Sequence, residues 1–269
     1  MPCILGGENI VANMGVDYYV EDSFKGLPAL QLLKKAMASS PIFIGANISP
    51  SAKKLLLKMG SSDLSSHLYA GTASLLSTQD IPLSLPQRLK ACMRWAVAVS
   101  LKAAGYRAIV SEQLPSDYED LWRKVSFNLP CGLVKDTVYL HWRYVQNPTF
   151  PYRFITARRN DEIRAMMVVA IQLSKGVGLI FDIIVPQGDR RAFMAVLGEG
   201  LKFLKEQGCH TGCLHWNAAW AKPVLYLFGF DLNNSDLGHL VWVAGTAERF
   251  KIMQQPRRWT ISLGDTDRY

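Results

Sequence analysis

Along the second half of the chain, apolar and polar positions switch between two periods. Phe193, Val196, Leu197, Gly200, Leu201 and Leu204 recur at helical spacing. That predicts an amphipathic helix opening near Arg190 and stopping at Gly208. Before it, Gly178 to Val185 is a nearly unbroken apolar run holding one carboxylate, Asp182. Such a run predicts a central strand buried on both faces. Tyr106 to Val110, Tyr152 to Arg158, Ile163 to Leu173 and Cys209 to Trp216 read as further strands, with Lys175-Gly176 as a hairpin turn. Helices are predicted from Leu114-Pro115-Ser116-Asp117 onward, over Lys135 to Gln146, and over Ala218 to Phe228 with Gly229 as its stop. Strands near Phe230 and over Leu240 to Ala244 complete the order β-α-α-β-β-β-α-β-α-β-β. That order predicts a mixed α/β fold, a twisted sheet covered on both faces.

The first part of the chain echoes the last. Val16-Asp17-Tyr18-Tyr19-Val20 is followed five residues on by Lys25, as Phe181-Asp182-Ile183-Ile184-Val185 is followed five residues on by Arg190. Each leads into an amphipathic helix, the first lined by Leu27, Leu30, Leu33 and Met37. Ile42 to Gly45 then reads as a strand and Ala52 to Met59 as a helix ending at Gly60, the counterpart of Cys209 to Gly229. Ser61 to Pro82, rich in Ser, Thr and Gly, reads as an irregular passage, and Leu85 to Ala104 as a connecting helix. The expected division is a partial half over residues 1–80, a connecting helix over 81–104 and a complete domain over 105–269. No earlier strands are expected ahead of the first copy, whose start at Met1 leaves room for a longer chain upstream.

Composition narrows the picture. Hydrophobic residues make up 49% and charged residues 19% of 269, a globular balance. The net charge of +8 favours anionic partners, but no Lys/Arg run indicates a nucleic-acid arm. Five irregularly spaced cysteines argue against a disulfide framework and for a reducing compartment. The N-terminus lacks the order of a signal peptide, and Ala91 to Val110 is interrupted by Arg94, Lys102 and Arg107. A cytoplasmic protein without a membrane span is expected.

The element order, Ile180 to Val185 as a fourth strand, Gln187 to Arg191 as a phosphate loop, and Tyr226 three residues before Gly229-Phe230 together resemble the GNAT (Gcn5-related N-acetyltransferase) superfamily over residues 105–269. The resemblance implies an acyl-CoA co-substrate and an amine acceptor, an amino sugar or nucleotide sugar being the favoured class. Main-chain groups of Ile183, Ile184 and Val185 would meet the thioester. Gln187, Gly188, Asp189, Arg190 and Arg191 would hold the pyrophosphate at a helix N-terminus, whose amides and dipole suit an anion. Only Gly188 matches the glycine pattern usual in that loop. Tyr226 would protonate the departing thiolate and Asp182 would act as base. In the first copy Leu57 stands where Tyr226 stands in the second, and Pro28 replaces a loop residue.

Other features are placed around that site. His141-Trp142-Arg143-Tyr144 is similar to runs in GNAT-like proteins linked to surface polysaccharides, which makes Arg143 and Tyr144 substrate contacts. His215, at a strand end, is another, and Asn217 borders the pantetheine path. Cys209 and Cys213 would lie roughly 13 Å apart on a strand at ~3.3 Å per residue. Zinc with ~2.3 Å bonds to sulfur cannot bridge that, so no metal is expected. Partners reduce to the amine acceptor and a second copy as homodimer, with no DNA. A Fem-like aminoacyl transferase using aminoacyl-tRNA is the second reading, and an inactive GNAT-fold scaffold the third.

Overall fold

A computed structural model describes residues 2–5, 8–15, 26–46, 48–75, 85–234, 239–243 and 251–265. The strands are β1 (Pro2–Leu5), β2 (Glu8–Val11), β3 (Asn13–Gly15), β4 (Ile42–Ala46), β5 (Ser62–Asp63), β6 (Tyr69–Ser74), β7 (Tyr106–Ser111), β8 (Cys131–Leu133), β9 (Arg153–Arg159), β10 (Glu162–Gln172), β11 (Val177–Ile184), β12 (Thr211–Trp216), β13 (Phe230–Asn234), β14 (His239–Val243) and β15 (Trp259–Thr260). The helices are α1 (Leu27–Ala38), α2 (Pro50–Lys58), α3 (Leu85–Ala103), α4 (Tyr118–Phe127), α5 (Thr137–Leu140), α6 (Arg190–Glu206) and α7 (Lys222–Leu227). This is the mixed α/β class expected from the pattern.

The chain forms two compact units that interleave along the sequence. One comprises residues 1–69, 129–134 and 234–269; the other comprises 70–128 and 135–233. They are not divided at residues 80 and 104. β6 and α3 belong to the second unit, while β8 and the last strands belong to the first.

In the first unit, β2-β1-β8-β15 makes one sheet and β3-β4-β14-β5 another. The hairpin β1–β2 supplies strands ahead of the first copy, where none was expected. β3 runs parallel to β4, with Met14 beside Ile44. Leu33 and Met37 of α1 and Leu56 of α2 pack on Phe43, whereas Leu27, read from the sequence as part of the same α1 face, is exposed. A Cβ on Gly15 would come 2.5 Å from the Phe43 ring, so any larger residue there would have to displace that ring. The Val16–Val20 and Lys25 half of the internal echo lies outside the described residues.

In the second unit one sheet has the order β13-β6-β12-β11-β10-β9-β7. β11 pairs antiparallel with β10 and parallel with β12. Helix α6 covers β7, β9 and β10, burying Phe193, Val196, Leu197, Gly200, Leu201 and Leu204, the face read from the sequence. Gly208, at φ 82°, takes the left-handed conformation that ends the helix. The β11–α6 layer is close: a Cβ on Gly178 would sit 2.6 Å from Leu204 Cδ1.

Three expectations are corrected here. Ser61 to Pro82 is not wholly irregular, because Tyr69–Ser74 is the strand β6 between β12 and β13. Its small residues hide the alternation; a Cβ on Gly71 would be 2.9 Å from Leu232 and 3.1 Å from Phe230. The 135–146 helix begins only at Thr137, where Asp136 Oδ1 accepts from the Tyr139 amide at 2.8 Å, and passes into a π-helical turn over His141–Val145. The last strand read from the sequence, observed as β14, joins the sheet of the first unit rather than closing the second.

Candidate active site

The register of β11 changes inside its apolar run. Val168 of β10 faces Asp182 and Val169 faces Ile180, so Phe181 is an extra residue, a β-bulge. A bulge can turn two consecutive side chains to one face, and both Phe181 and Asp182 point to the α4–α5 side. Phe181 packs edge-on to Tyr144 and Tyr152, with ring centroids 6.2 and 5.3 Å away. Asp182, fully buried, accepts a hydrogen bond from the Tyr144 hydroxyl at Oδ2 and pairs with Lys135 Nζ at 2.5 Å through Oδ1. The main-chain carbonyl of Lys135 accepts from the Tyr118 hydroxyl at 2.5 Å. Burial pushes the Tyr118 and Tyr144 phenols well above their usual range, and the Asp182 charge adds to both shifts. Both therefore stay protonated and act as donors.

The bulge coincides with the end of the parallel ladder. β11 and β12 pair from Val177–Thr211 to Ile180–Leu214, yet β11 runs on to Ile184 and β12 to Trp216. Ile183, Ile184 and Val185 lie on the far side of that end, as do His215 and Asn217. Trp216 stacks at angles with Phe193 and Trp220, centroids 5.4 and 6.0 Å away. That brings the first turn of α6 against the end of β12.

The loop into α6 is shaped by Gly188 at φ 84°, with nothing within 4 Å of a Cβ placed there. Arg190 and Arg191 are exposed, as is Gln187. Three amides at this helix mouth, those of Asp189, Arg190 and Ala192, are already engaged. Asp189 N–H donates to Pro186 O at 3.0 Å and Arg190 N–H to Gly188 O at 2.8 Å. Ala192 N–H donates to Asp189 Oδ1 at 3.1 Å, so Asp189 is an N-cap, while its Oδ2 binds Arg164 at 3.1 Å. The loop therefore offers an anion two exposed arginines and a partly used set of amides beside the Asp189 carboxylate.

Tyr226 sits on the last turn of α7, half exposed, while its neighbours Val224 and Leu225 are buried. Gly229 N–H closes the helix on Tyr226 O at 3.1 Å. Asp182 is a different case. A fully buried carboxylate with both oxygens engaged cannot reach an acceptor, so its geometry suits positioning of the bulge. Arg143 and Tyr144 are both turned inward, and the exposed member of that run is Trp142. Sequence reading missed Lys135, Tyr152 and the Asp189 cap. Tyr152 is buried and its hydroxyl has no hydrogen-bond partner among the described residues. Of these, only Asp189 left a local signal, an aspartate just before a helix.

No protein-family model matches the sequence, and no curated protein aligns with it. Solved structures do share the fold. A conserved protein of Enterococcus faecalis V583 aligns over 93% of this chain and 58% of its own, with a TM-score of 0.60 at 9% identity. A GCN5-related N-acetyltransferase of Anabaena variabilis ATCC 29413 aligns over 91% and 58%, at 0.59 and 10%. Another from Kribbella flavida aligns over 90% and 55%, at 0.55 and 12%. This chain thus spans little more than half the length of each. With its bulged β11, parallel β12 and crossing α6, the chain has the fold of the GCN5-related N-acetyltransferases.

Proposed function

We propose that the second unit is an N-acyltransferase that moves an acyl group from a CoA thioester to a primary amine, an amino sugar being the acceptor class to test first. The observation behind this reading is the bulge at Phe181 where the β11–β12 ladder ends. Strand ends that part in this way admit an extended ligand arm between them. The thioester would lie beside the main chain of Ile183, Ile184 and Val185, with Asn217 on the other flank. A neutral acceptor nitrogen attacks the carbonyl carbon, the carbon–sulfur bond breaks, Tyr226 gives its proton to sulfur, and the proton shed by the nitrogen returns through solvent to the Tyr226 phenolate. Arg143 and His215 are the proposed acceptor contacts, and Tyr144 holds Asp182 in place. Arg190 and Arg191 would supply charge toward the phosphates.

The capped loop shapes the donor. With Ala192 N–H taken by Asp189, the loop would hold the diphosphate through Arg190, Arg191 and its remaining amides alone, and the pantetheine arm would carry most of the affinity. Calorimetric titration of CoA and of pantetheine tests this: affinities within about tenfold of each other are expected, together with acyl transfer to an amine panel. Absence of both binding and transfer would overturn the reading. The same loop favours one further possibility, an aminoacyl-tRNA donor, which needs no diphosphate cradle. Retention on tRNA with no response to CoA would select it.

A further inference from the structure

A cavity opens on the second unit, walled by α3, α6 and β7, with a volume of about 1220 Å³. Neither Tyr226 nor any residue from 181 to 191 lines it. It is therefore distinct from the site described above. The size lies a little above the ~300–1,000 Å³ of ordinary small-molecule sites. Its floor is apolar: Leu101, Tyr106, Leu201 and Phe228 are buried there, with Val97 and Met194 half-buried beside them.

The rim is cationic. Arg94, Lys102, Arg107, Arg158, Lys202 and Lys205 line the cavity against only Asp161 and Glu199. Arg158 is held by Asp117 in a two-point pair at 2.6 and 2.8 Å, and Lys202 by Glu199 at 3.2 Å. The other four have no carboxylate partner among the described residues; Arg94 reaches only the Phe228 carbonyl, at 3.4 Å. Helix α3 itself holds four cations and no acid. Surface cations ordinarily sit among carboxylates that offset them. Here unpaired charge borders a deep apolar wall, which is the complement of a ligand with an aliphatic body and an anionic head.

We propose that this cavity binds one molecule of a single-chain anionic amphiphile, its chain along the α3–α6 walls and its phosphate or carboxylate among the rim cations. The chain supplies affinity through area removed from water, and the head supplies selection by charge.

The test uses the full chain and monomeric probes below their micellar concentration: dodecyl phosphate, octyl phosphate, dodecanoate, the neutral dodecyl maltoside and inorganic phosphate. Titration calorimetry should show saturable one-to-one binding of dodecyl phosphate. Octyl phosphate should bind at least tenfold more weakly, since each buried methylene is worth up to about fourfold. A preference for dodecyl phosphate over dodecanoate assigns a lipid phosphate, and the reverse a fatty-acid head; either supports the site. Lys102 and Arg107 are both exposed, so the double variant K102E/R107E should keep its melting temperature and bind about tenfold less tightly. Ala98→Trp should fill the wall and abolish binding; if that variant does not fold, the charge-reversed pair decides. The proposal fails if dodecyl maltoside binds as well as dodecyl phosphate, if inorganic phosphate alone accounts for the binding, if chain length has no effect, or if only anionic vesicles bind.

Discussion

β3-α1-β4-α2-β5 in the first unit and β11-α6-β12-α7-β13 in the second build the same piece of sheet. Each begins with a parallel ladder, and each places a strand from elsewhere in the chain between its last two: β14 between β4 and β5, β6 between β12 and β13. Each second helix ends alike. Gly60 at φ 89° donates to Leu57 O at 3.0 Å, and Gly229 at φ 87° donates to Tyr226 O at 3.1 Å. Leu57 and Tyr226 are both partly exposed on that last turn. The backbone repeats while the side chains diverge. A left-handed glycine and a parallel ladder are requirements of folding, whereas a phenol on a helix end is not. The comparison separates what the fold needs from what the proposed chemistry needs.

The largest expected effect lies in a feature seen in the second unit, the buried Asp182–Lys135 pair. Asp182→Ala removes the carboxylate that faces the buried Lys135 ammonium, and breaking a buried pair from one side costs about 3–5 kcal/mol. Urea unfolding should show this loss. The double variant Asp182→Leu with Lys135→Met should recover most of it, because the ammonium goes too. A single variant that unfolds like the parent would mean that water reaches the pair.

Next comes the divergent position. Tyr226→Phe should lower the rate of acyl transfer by at least about 10²-fold, the usual worth of a placed proton donor. Its stability should stay within about 0.5 kcal/mol of the parent, since the side chain is half exposed. Leu57→Tyr, which makes the first copy look like the second, should leave the rate unchanged. Steady-state rates of the two variants decide whether the phenol acts or merely decorates the turn.

How much of this was legible in the sequence follows the range of each interaction. The buried face of α6 was legible because one helix writes its own period, and Tyr226 because Gly229-Phe230 marks the helix end beside it. β6 was hidden, since Gly71 must be small to fit against Leu214, Phe230 and Leu232, and small residues read as loop. The bulge at Phe181 was hidden because an all-apolar run has no alternation to break. Lys135 lies 47 residues from Asp182, and no local pattern records such a partnership. Asp189 was visible and was read as part of an anion loop, although an aspartate before a helix more simply caps it.

Equal effects test the shared part of the comparison. Gly60→Ala and Gly229→Ala each force a side chain into the left-handed region, at about 1 kcal/mol. A Cβ would meet nothing within 4 Å at Gly60 and only Arg94 Nη1, at 3.6 Å, at Gly229. Backbone strain alone should therefore set both costs, and thermal melts should show similar shifts. A large excess at Gly229 would indicate that its turn serves the neighbouring site as well as the helix.

The smallest effect concerns acid. In the first unit burial alone would raise the Asp63 carboxyl, but hydrogen bonds from Lys53 and Ser65 outweigh it and hold it below the usual carboxylate range. In the second unit the Arg158 hydrogen bonds lower Asp117 in the same direction. A carboxyl lowered on folding contributes stability above its unfolded pKa of about 4, and that contribution is lost as pH falls through the folded value. Both pairs are about one-third exposed, with side-chain exposures of 31% and 30% for Lys53 and Asp63, and 25% and 32% for Arg158 and Asp117. Solvent screening then limits each to about 0.5 kcal/mol. Asp63→Asn and Asp117→Asn should each lose that amount at pH 7 and less at pH 2, as the parent carboxyls take up protons in turn. Unfolding curves at the two pH values measure the difference, and a loss undiminished at pH 2 would assign these aspartates to packing instead of charge.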